Sequence, residues 1–452
     1  MEDSFESVFN AENLSEIFWK HIHPKKSSGV DRVSVGKFAE NLDEHIDVIV
    51  RKCEQHSYRF TPYLQSLKAK GPNKPPREIS IPCVRDRLVL KALTIYLHEV
   101  CSDCVAKDLP NTVVRKIKKS VSDDKDGLSF VRLDFSNFYG SINQQKLIEK
   151  LKDKSVSFEA ISLIVKAISN TTVPPMFSKK DRLVKNEKGV PQGLAISNIL
   201  AEIYMQDFDR EVSEFSTVYH RFVDDVFVLC ETRNSPKIWG AIGSAAKQEC
   251  LSLNLEKSTE KGNLESLSTG FEFLGYRFSS PESISVRYSS YSRFLNSLIG
   301  RITRYRKEKE RSEGEDELRK KLFVEELNER ITGAIDENKR YGWVFFFCEV
   351  TDQTQLNQID RVIIKMISGL SEINLEEIKR VSRARYEAIF SPSRGYIRDY
   401  NKFSLRDKIE FLRIRGKYSE ESAMTEEQIV SLFNDIKRKN LSKLEADTAT
   451  IS

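Results

Sequence analysis

Hydrophobic and polar positions in the first hundred residues alternate between helical and extended periods. Apolar residues recur at helical spacing over residues 14–53, with an interruption at 23–31. The basic stretch 68–76 contains glycine and prolines that exclude a helix. Residues 77–82 then alternate like a short strand, and 85–100 have the pattern of an amphipathic helix. We therefore predict N-terminal helices, one strand and a further helix.

The middle of the chain mixes short strands with helices. The pattern predicts a polar loop at 121–127, a strand at 130–135, a helix from 144, an irregular basic excursion at 174–188 and a loop leading into a helix over 191–205. Two adjacent aspartates between apolar runs at 219–230 predict a strand pair with a tight turn, and 271–278 read as one more strand. Beyond residue 281 the sequence is long, highly charged and helical in pattern, without repeats.

Composition narrows the class of protein only slightly. Of the 452 residues, 39% are hydrophobic and 31% charged, which is typical of a globular chain. Lysine and arginine number 72 against 67 acidic residues, so the net charge of +5 neither demonstrates nor excludes a nucleic-acid partner.

Cysteine usage and hydropathy indicate a cytoplasmic protein without a membrane partner. Only Cys101 and Cys104 have the spacing of a metal or redox pair, and no second pair completes a zinc site, so we expect reduced thiols. The acidic start MEDSFESVFN lacks the order of a secretion signal, and the apolar run 343–347 is too short to span a bilayer.

Three aspartates carry the candidate chemistry. Asp134 ends one predicted strand, and Asp224 and Asp225 occupy the predicted hairpin turn. Carboxylates brought together at one sheet edge could hold the two Mg²⁺ ions that nucleotidyl transfer uses, since Mg²⁺ prefers oxygen ligands. The structural alternative is that the aspartate pair serves only the turn and Asp134 only caps the following helix.

Further blocks in a fixed order resemble the reverse-transcriptase family, in particular its bacterial group II intron-like branch and related defence-associated enzymes. Over residues 26–365 the blocks are SSGVDRVSV, PREISIPCVRDRLVLKA, LDFSNFYGSI, GVPQGLAISNILA, RFVDD, LSLNLEKS, FEFLGYRF and KRYGWVFFF. The resemblance implies that Asp134, Asp224 and Asp225 are catalytic and hold two Mg²⁺ ions, for which Mn²⁺ could substitute, with Phe135 as a further metal-site position.

The resemblance also implies a nucleotide-binding set, and each member has a structural alternative. Arg77 matches the arginine that grips the triphosphate. Tyr139 matches the gate under the sugar, where a ring would clash with a 2′-hydroxyl, or it is an ordinary core aromatic. Gln192 and Gly193 match the block that packs on the nascent base pair, or they form a simple turn. Lys257 matches a lysine near the leaving pyrophosphate, or it is solvated.

Lys74 could also touch phosphate. The basic loops at 68–74 and 179–188 would suit phosphate backbones, or they are simply solvated. Three positions depart from the family pattern. Phe222 replaces a tyrosine, the stretch LAISN has asparagine where many relatives have proline, and Arg32 replaces a glycine.

The implied architecture is an α+β right-hand polymerase. N-terminal helices and fingers would cover 1–120, a palm with an antiparallel sheet 121–280 with a fingers insertion near 160–190, a helical thumb 281–369 and a C-terminal helical segment 370–452.

The implied activity is DNA synthesis from dNTPs on an RNA template. The implied setting is anti-phage defence with a dedicated non-coding RNA, with a homo-oligomer or an accessory protein as further partners. A template-independent polymerase and a non-catalytic RNA-binding scaffold of the same fold are the alternatives.

Overall fold

The computed structural model describes residues 4–23, 28–69, 75–105, 109–123, 127–178, 180–181, 184–254, 258, 265–266, 270–279, 283–310, 317–337, 339–390, 395–419 and 424–446. Its helices are α1 Ser4–Val8, α2 Ala11–Ile17, α3 Val35–Ala39, α4 Leu42–Glu54, α5 Val84–Val100, α6 Pro110–Asp123, α7 Phe138–Ser141, α8 Gln144–Asp153, α9 Phe158–Ile168, α10 Ser197–Ser213, α11 Ser235–Gln248, α12 Tyr288–Glu310, α13 Glu317–Thr332, α14 Trp343–Phe346, α15 Thr354–Ile367, α16 Val381–Phe390, α17 Leu405–Ile414 and α18 Glu426–Ala446. The strands are β1 Tyr63–Lys68, β2 Arg77–Ile81, β3 Leu128–Asp134, β4 Thr172–Val173, β5 Val218–Phe222, β6 Asp225–Glu231, β7 Glu265–Ser266, β8 Phe271–Phe273, β9 Tyr276–Phe278, β10 Ile284–Val286, β11 Ala334–Asp336, β12 Lys339–Tyr341 and β13 Arg398–Asp399.

Local capping signals explain where several helices begin. The Ser34 hydroxyl accepts the Lys37 N–H at the start of α3, and Ser157 does the same for α9. At α17, Ser404 and Asp407 form a reciprocal capping box. Each bond satisfies a main-chain donor that the helix itself leaves unpaired.

Residues 1–107 and 129–264 form one compact unit. Strands β5, β6 and β3 lie side by side in that order, and β5 and β6 form an antiparallel hairpin in which Phe222 faces Asp225. In a second sheet β1 lies between β2, to which it is antiparallel, and β4, to which it is parallel. The helical core of this unit includes Leu88, Leu93, Ile164, Leu200 and Phe208, all fully buried.

Residues 108–128 and 265–452 form the other compact unit. It contains the sheets β10-β9-β8 and β12-β11-β13. Trp343 stacks on Phe294 with ring centroids 4.4 Å apart, and Phe411 and Phe433 bring α17 and α18 together. Ala334, in the segment predicted as thumb, is buried in one cluster with Phe411 and Phe433, so the segment after residue 370 shares a core with it. The predicted four-part division of the chain stays a prediction.

Three local expectations differ from the structure. The predicted strand 271–278 is the hairpin β8–β9, because Leu274 at φ 49° and Gly275 at φ 79° reverse the chain. The predicted loop 121–127 begins with the last turn of α6. The region after residue 281 is not purely helical, since it also contains β10 to β13, and strands of two or three residues leave no alternation to detect.

The mixture of helices with largely antiparallel sheets agrees with the α+β expectation. All seven cysteines are free thiols. Within the described ranges, no helix is both long enough and apolar enough to cross a bilayer.

Candidate active site

Two neighbouring strands carry the three candidate catalytic aspartates. Asp134 is the last residue of β3, Asp224 lies in the turn between β5 and β6, and Asp225 is the first residue of β6. Because β6 lies next to β3, the strand order places these carboxylates on adjacent elements. All three residues are half-buried.

The turn that carries Asp224 is held by a buried arginine. Val223 adopts φ +59°, which costs a β-branched residue free energy. The Arg221 guanidinium donates to the Val223 carbonyl at 3.1 Å and also pairs with Glu202 at 2.6 Å and Asp209 at 2.7 Å. Both acids lie on α10, so Arg221 ties the turn to that helix.

Asp225 and Asp134 already have partners on the protein. Arg132, two residues before Asp134 on β3, donates from Nε and Nη2 to the two carboxylate oxygens of Asp225, each at 3.1 Å. Asn254 Nδ2 donates to Asp134 Oδ2 at 3.0 Å, and the Asp134 N–H donates to Ser258 Oγ at 3.2 Å. These contacts orient both carboxylates.

The donor chemistry of the three aspartates suits a divalent cation, because Mg²⁺ prefers hard oxygen ligands. Within the part of the chain that the structure describes, however, no three acidic, histidine or cysteine side chains gather closely enough to hold a metal ion. Asp225 is paired within the protein, since its two oxygens face the positive charge of Arg132. The Phe135 ring is buried and the residue bridges to Leu253, so only its main-chain oxygen could serve a metal.

Strand β2, which carries Arg77, packs closely on the loop at Gln192 and Gly193. Gly193 has φ +103°, and a Cβ there would lie 2.7 Å from Cγ2 of Ile79 on β2. The Ser80 N–H donates to the Gln192 carbonyl at 2.7 Å. On the same strand, Nε of Arg77 is buried and finds no hydrogen-bond partner among the described residues.

Tyr139, in α7, is influenced electrostatically by Asp224 and Arg77. Its hydroxyl donates to Asn198 Oδ1 at 2.7 Å. Burial raises the pKa of Tyr139, Asp224 raises it further and Arg77 opposes the rise, so the hydroxyl keeps its proton at neutral pH. Lys257 and Lys74 lie outside the described residues.

Three residues of this site were not singled out from the sequence, namely Arg132, Arg221 and Asn254. Asn198 was noted only as a departure from the family pattern, and its contact with Tyr139 was not predicted. Arg132 does leave a signal, because it is a charged residue inside an otherwise apolar strand. Arg221 lies in the RFVDD block, but its two partners on α10 could not be read from the sequence.

The comparisons with known proteins agree with this geometry. Residues 68–278 match the family model described as reverse transcriptase (RNA-dependent DNA polymerase). The chain is 28% identical over 190 residues to an uncharacterized 91 kDa protein in the cob intron of Schizosaccharomyces pombe, in a match that covers 38% of this chain and 21% of that protein.

Two telomerase structures are also similar. Apo telomerase from Candida tropicalis, truncated from its C-terminal domain, matches with TM-score 0.39 and 13% identity over 58% of this chain and 63% of that chain. Telomerase from Candida albicans in complex with a fragment of telomeric RNA matches with TM-score 0.44 and 11% identity over 92% and 68%.

The family match contains the whole candidate site. It runs from before Arg77 to beyond Asp225, and the α+β architecture is consistent with a right-hand polymerase. Residues 68–278 of this chain therefore match a reverse-transcriptase domain over the whole candidate site.

Proposed function

We propose that the chain is an RNA-directed DNA polymerase whose active site is built on Asp134, Asp224 and Asp225. The observation that carries the proposal is that adjacent strands bear these carboxylates inside the stretch that matches the reverse-transcriptase family. In the proposed reaction the 3′-hydroxyl oxygen of a primer bonds to the α-phosphorus of a dNTP, and pyrophosphate leaves.

Each residue has a part in this proposal. The three aspartates, with the main-chain oxygen of Phe135, would hold two Mg²⁺ ions or Mn²⁺ in their place. When bound, these ions would activate the 3′-hydroxyl and neutralise charge on the leaving phosphates.

The remaining residues bind and orient the nucleotide. Arg77 would pair with the triphosphate through its guanidinium charge. Tyr139 lies under the sugar and excludes a 2′-hydroxyl. Gln192 and Gly193, packed on the strand of Arg77, contact the nascent base pair. Lys257 would lie near the leaving pyrophosphate.

The biological setting follows from the resemblance to group II intron-like and defence-associated enzymes. We propose a dedicated non-coding RNA as template, a role in anti-phage defence and a cytoplasmic location. A homo-oligomer or an accessory protein could complete the assembly.

Nucleotide incorporation by the purified chain with its co-purifying RNA tests the activity. We expect Mg²⁺-dependent incorporation of dNTPs that falls to background in the variant Asp224→Ala/Asp225→Ala. The matched control is Asp43→Ala/Glu44→Ala, an adjacent acidic pair exposed on α4, which should retain incorporation. Sequencing the product with and without added RNA distinguishes templated from untemplated synthesis.

The arrangement of Asp225 with Arg132 gives the scaffold alternative a specific basis, because that pair is complete without a metal. If the wild type and the double variant bind RNA equally and neither incorporates nucleotide, even when cell extract is added to supply an accessory protein, the chain is an RNA-binding scaffold and the catalytic assignment is wrong.

A further inference from the structure

Asn198, the second residue of α10, makes a direct contact with the proposed sugar gate. The hydroxyl of Tyr139 donates to Oδ1 of Asn198 at 2.7 Å. The two residues come from different elements, α7 and α10, so the bond fixes the tip of the ring relative to a second helix. The Tyr139 side chain is half-buried, whereas Asn198 is exposed.

The Tyr139 hydroxyl carries a proton to donate at neutral pH, since even an ordinary tyrosine pKa lies at about 10. Burial, with Asp224 and Glu202, raises the pKa of Tyr139. The phenol therefore retains the proton that it donates, and the amide oxygen of Asn198 is a suitable acceptor.

We propose that Asn198 is a specificity-determining residue that positions Tyr139 against ribonucleotides. The inference rests on the proposed polymerase function and on Tyr139 as its sugar gate. Packing also holds the Tyr139 ring, which lies edge-on to Phe138 with ring centroids 5.4 Å apart. Loss of the hydroxyl bond therefore allows a small shift of the ring that gives way to a 2′-hydroxyl, rather than a free rotation. With the hydroxyl bound to Asn198, the ring keeps the orientation in which it blocks that group.

The test is primer extension by the full chain, with kcat/KM measured separately for a dNTP and for the matching rNTP. We expect Asn198→Leu, which has a similar shape but no acceptor, to raise the rNTP-to-dNTP ratio about two- to tenfold, the range that one net hydrogen bond supports. Tyr139→Phe should raise the ratio by a similar factor. The double variant should show no more than either single change, because both remove the same bond.

Two further variants separate positioning from general damage. Asn198→Asp keeps an acceptor and should hold the ratio near the wild-type value. Asn198→Pro should behave like Asn198→Leu, since proline is tolerated in the first turn of a helix. Arg210→Met, on the same helix and exposed, should leave the ratio unchanged.

The outcomes are distinguishable. If Tyr139→Ala raises the rNTP-to-dNTP ratio while Asn198→Leu does not, this inference is wrong and the gate stands. The same conclusion follows if Asn198→Leu lowers kcat/KM for both nucleotides in proportion. If Tyr139→Ala has no effect on the ratio, the gate is wrong and the inference falls with it. If the wild type incorporates neither nucleotide, the proposed function itself has failed and this inference with it.

Discussion

Asp225 meets the positive charge of Arg132 across two adjacent strands. The pair is partly shielded, since the Arg132 side chain is 33% exposed and that of Asp225 is 14% exposed. A two-point pair of this kind is stronger than an exposed surface pair, because the geometry is fixed and the surroundings contain less water. A divalent cation bound by Asp225 has to share or displace that guanidinium, so Arg132 competes with metal for the same carboxylate.

Replacing Arg132 should therefore lower the stability of the metal-free protein and raise its affinity for Mn²⁺. We expect Arg132→Gln to lower the free energy of unfolding by about 1–2 kcal/mol in the presence of a chelator. The same variant should need less Mn²⁺ to reach half of its stabilisation, because binding to the folded state raises stability. Urea unfolding at a series of Mn²⁺ concentrations measures both effects.

The control for this experiment is Asp225→Asn, which removes the anionic ligand and should weaken the Mn²⁺ response. An unchanged Mn²⁺ dependence in Arg132→Gln would show that Arg132 does not compete with the cation.

The contacts of single residues were the least predictable part of this protein. Asp134, Asp224 and Asp225 could be singled out because aspartates between apolar runs stand out in a sequence. The Arg132–Asp225 and Tyr139–Asn198 contacts join residues that are far apart in the chain, and only the folded arrangement shows them.

At the scale of elements, the ion pairs of Arg221 hold hairpin β5–β6 against helix α10. Arg221 is buried, and its two acidic partners are 19% and 27% exposed. Removing the cation leaves both acids close together in a site with little water, which costs more than the pair itself contributes. The same change exposes the strain of Val223, whose carbonyl loses the Arg221 bond.

We expect Arg221→Met to destabilise the compact unit formed by residues 1–107 and 129–264 by about 3–5 kcal/mol in urea unfolding. The matched control is Arg210→Met, whose partner Asp207 also lies on α10. The Arg210 side chain is 75% exposed, so its loss should cost no more than about 1 kcal/mol. Equal losses in the two variants would mean that Arg221 is not a structural link.

The hairpin with longer strands was predicted from the sequence, and the hairpin with shorter strands was not. The long runs on either side of Asp224 and Asp225 predicted β5 and β6 correctly. The hairpin β8–β9 was read as one strand because its strands are three residues each, and its turn lacks the asparagine–glycine or aspartate–glycine pair that signals such a turn. Short elements depend on tertiary pairing and leave little pattern in the sequence.

At the scale of the whole molecule, the two compact units are interleaved along the chain. Helix α6 precedes β3 in sequence but belongs to the unit formed by residues 265–452. There, Arg115 pairs with Glu349 at 2.6 Å, and Asn111 Nδ2 donates to Cys348 Sγ at 3.6 Å. The local pattern of hydrophobic and polar residues does not reveal this interleaving. The predicted boundary at residue 120 therefore depends on the family resemblance alone.

A destabilising substitution in α6 should therefore destabilise the compact unit formed by residues 108–128 and 265–452. Ile117 is fully buried, and we expect Ile117→Ala to cost about 2–5 kcal/mol. Hydrogen exchange measured by mass spectrometry should show faster exchange in the peptide that contains α14 than in the peptide that contains α11.

The control is Lys119→Ala, on the exposed side of the same helix, which should stay within about 0.5 kcal/mol of the wild type. Faster exchange confined to α11 would contradict the assignment of α6 to the second unit.

The early position of α6 has a consequence for synthesis on the ribosome. The contact between Asn111 and Cys348 spans 237 positions of the chain. At about 5–20 residues per second, α6 would wait on the order of 10–50 seconds for its partners to be translated. During that interval α6, whose Val113, Val114 and Ile117 are buried in the finished protein, lacks its contacts with Cys348 and Glu349. A nascent chain stalled before residue 348 is therefore expected to expose part of the apolar face of α6, the kind of surface that chaperones bind.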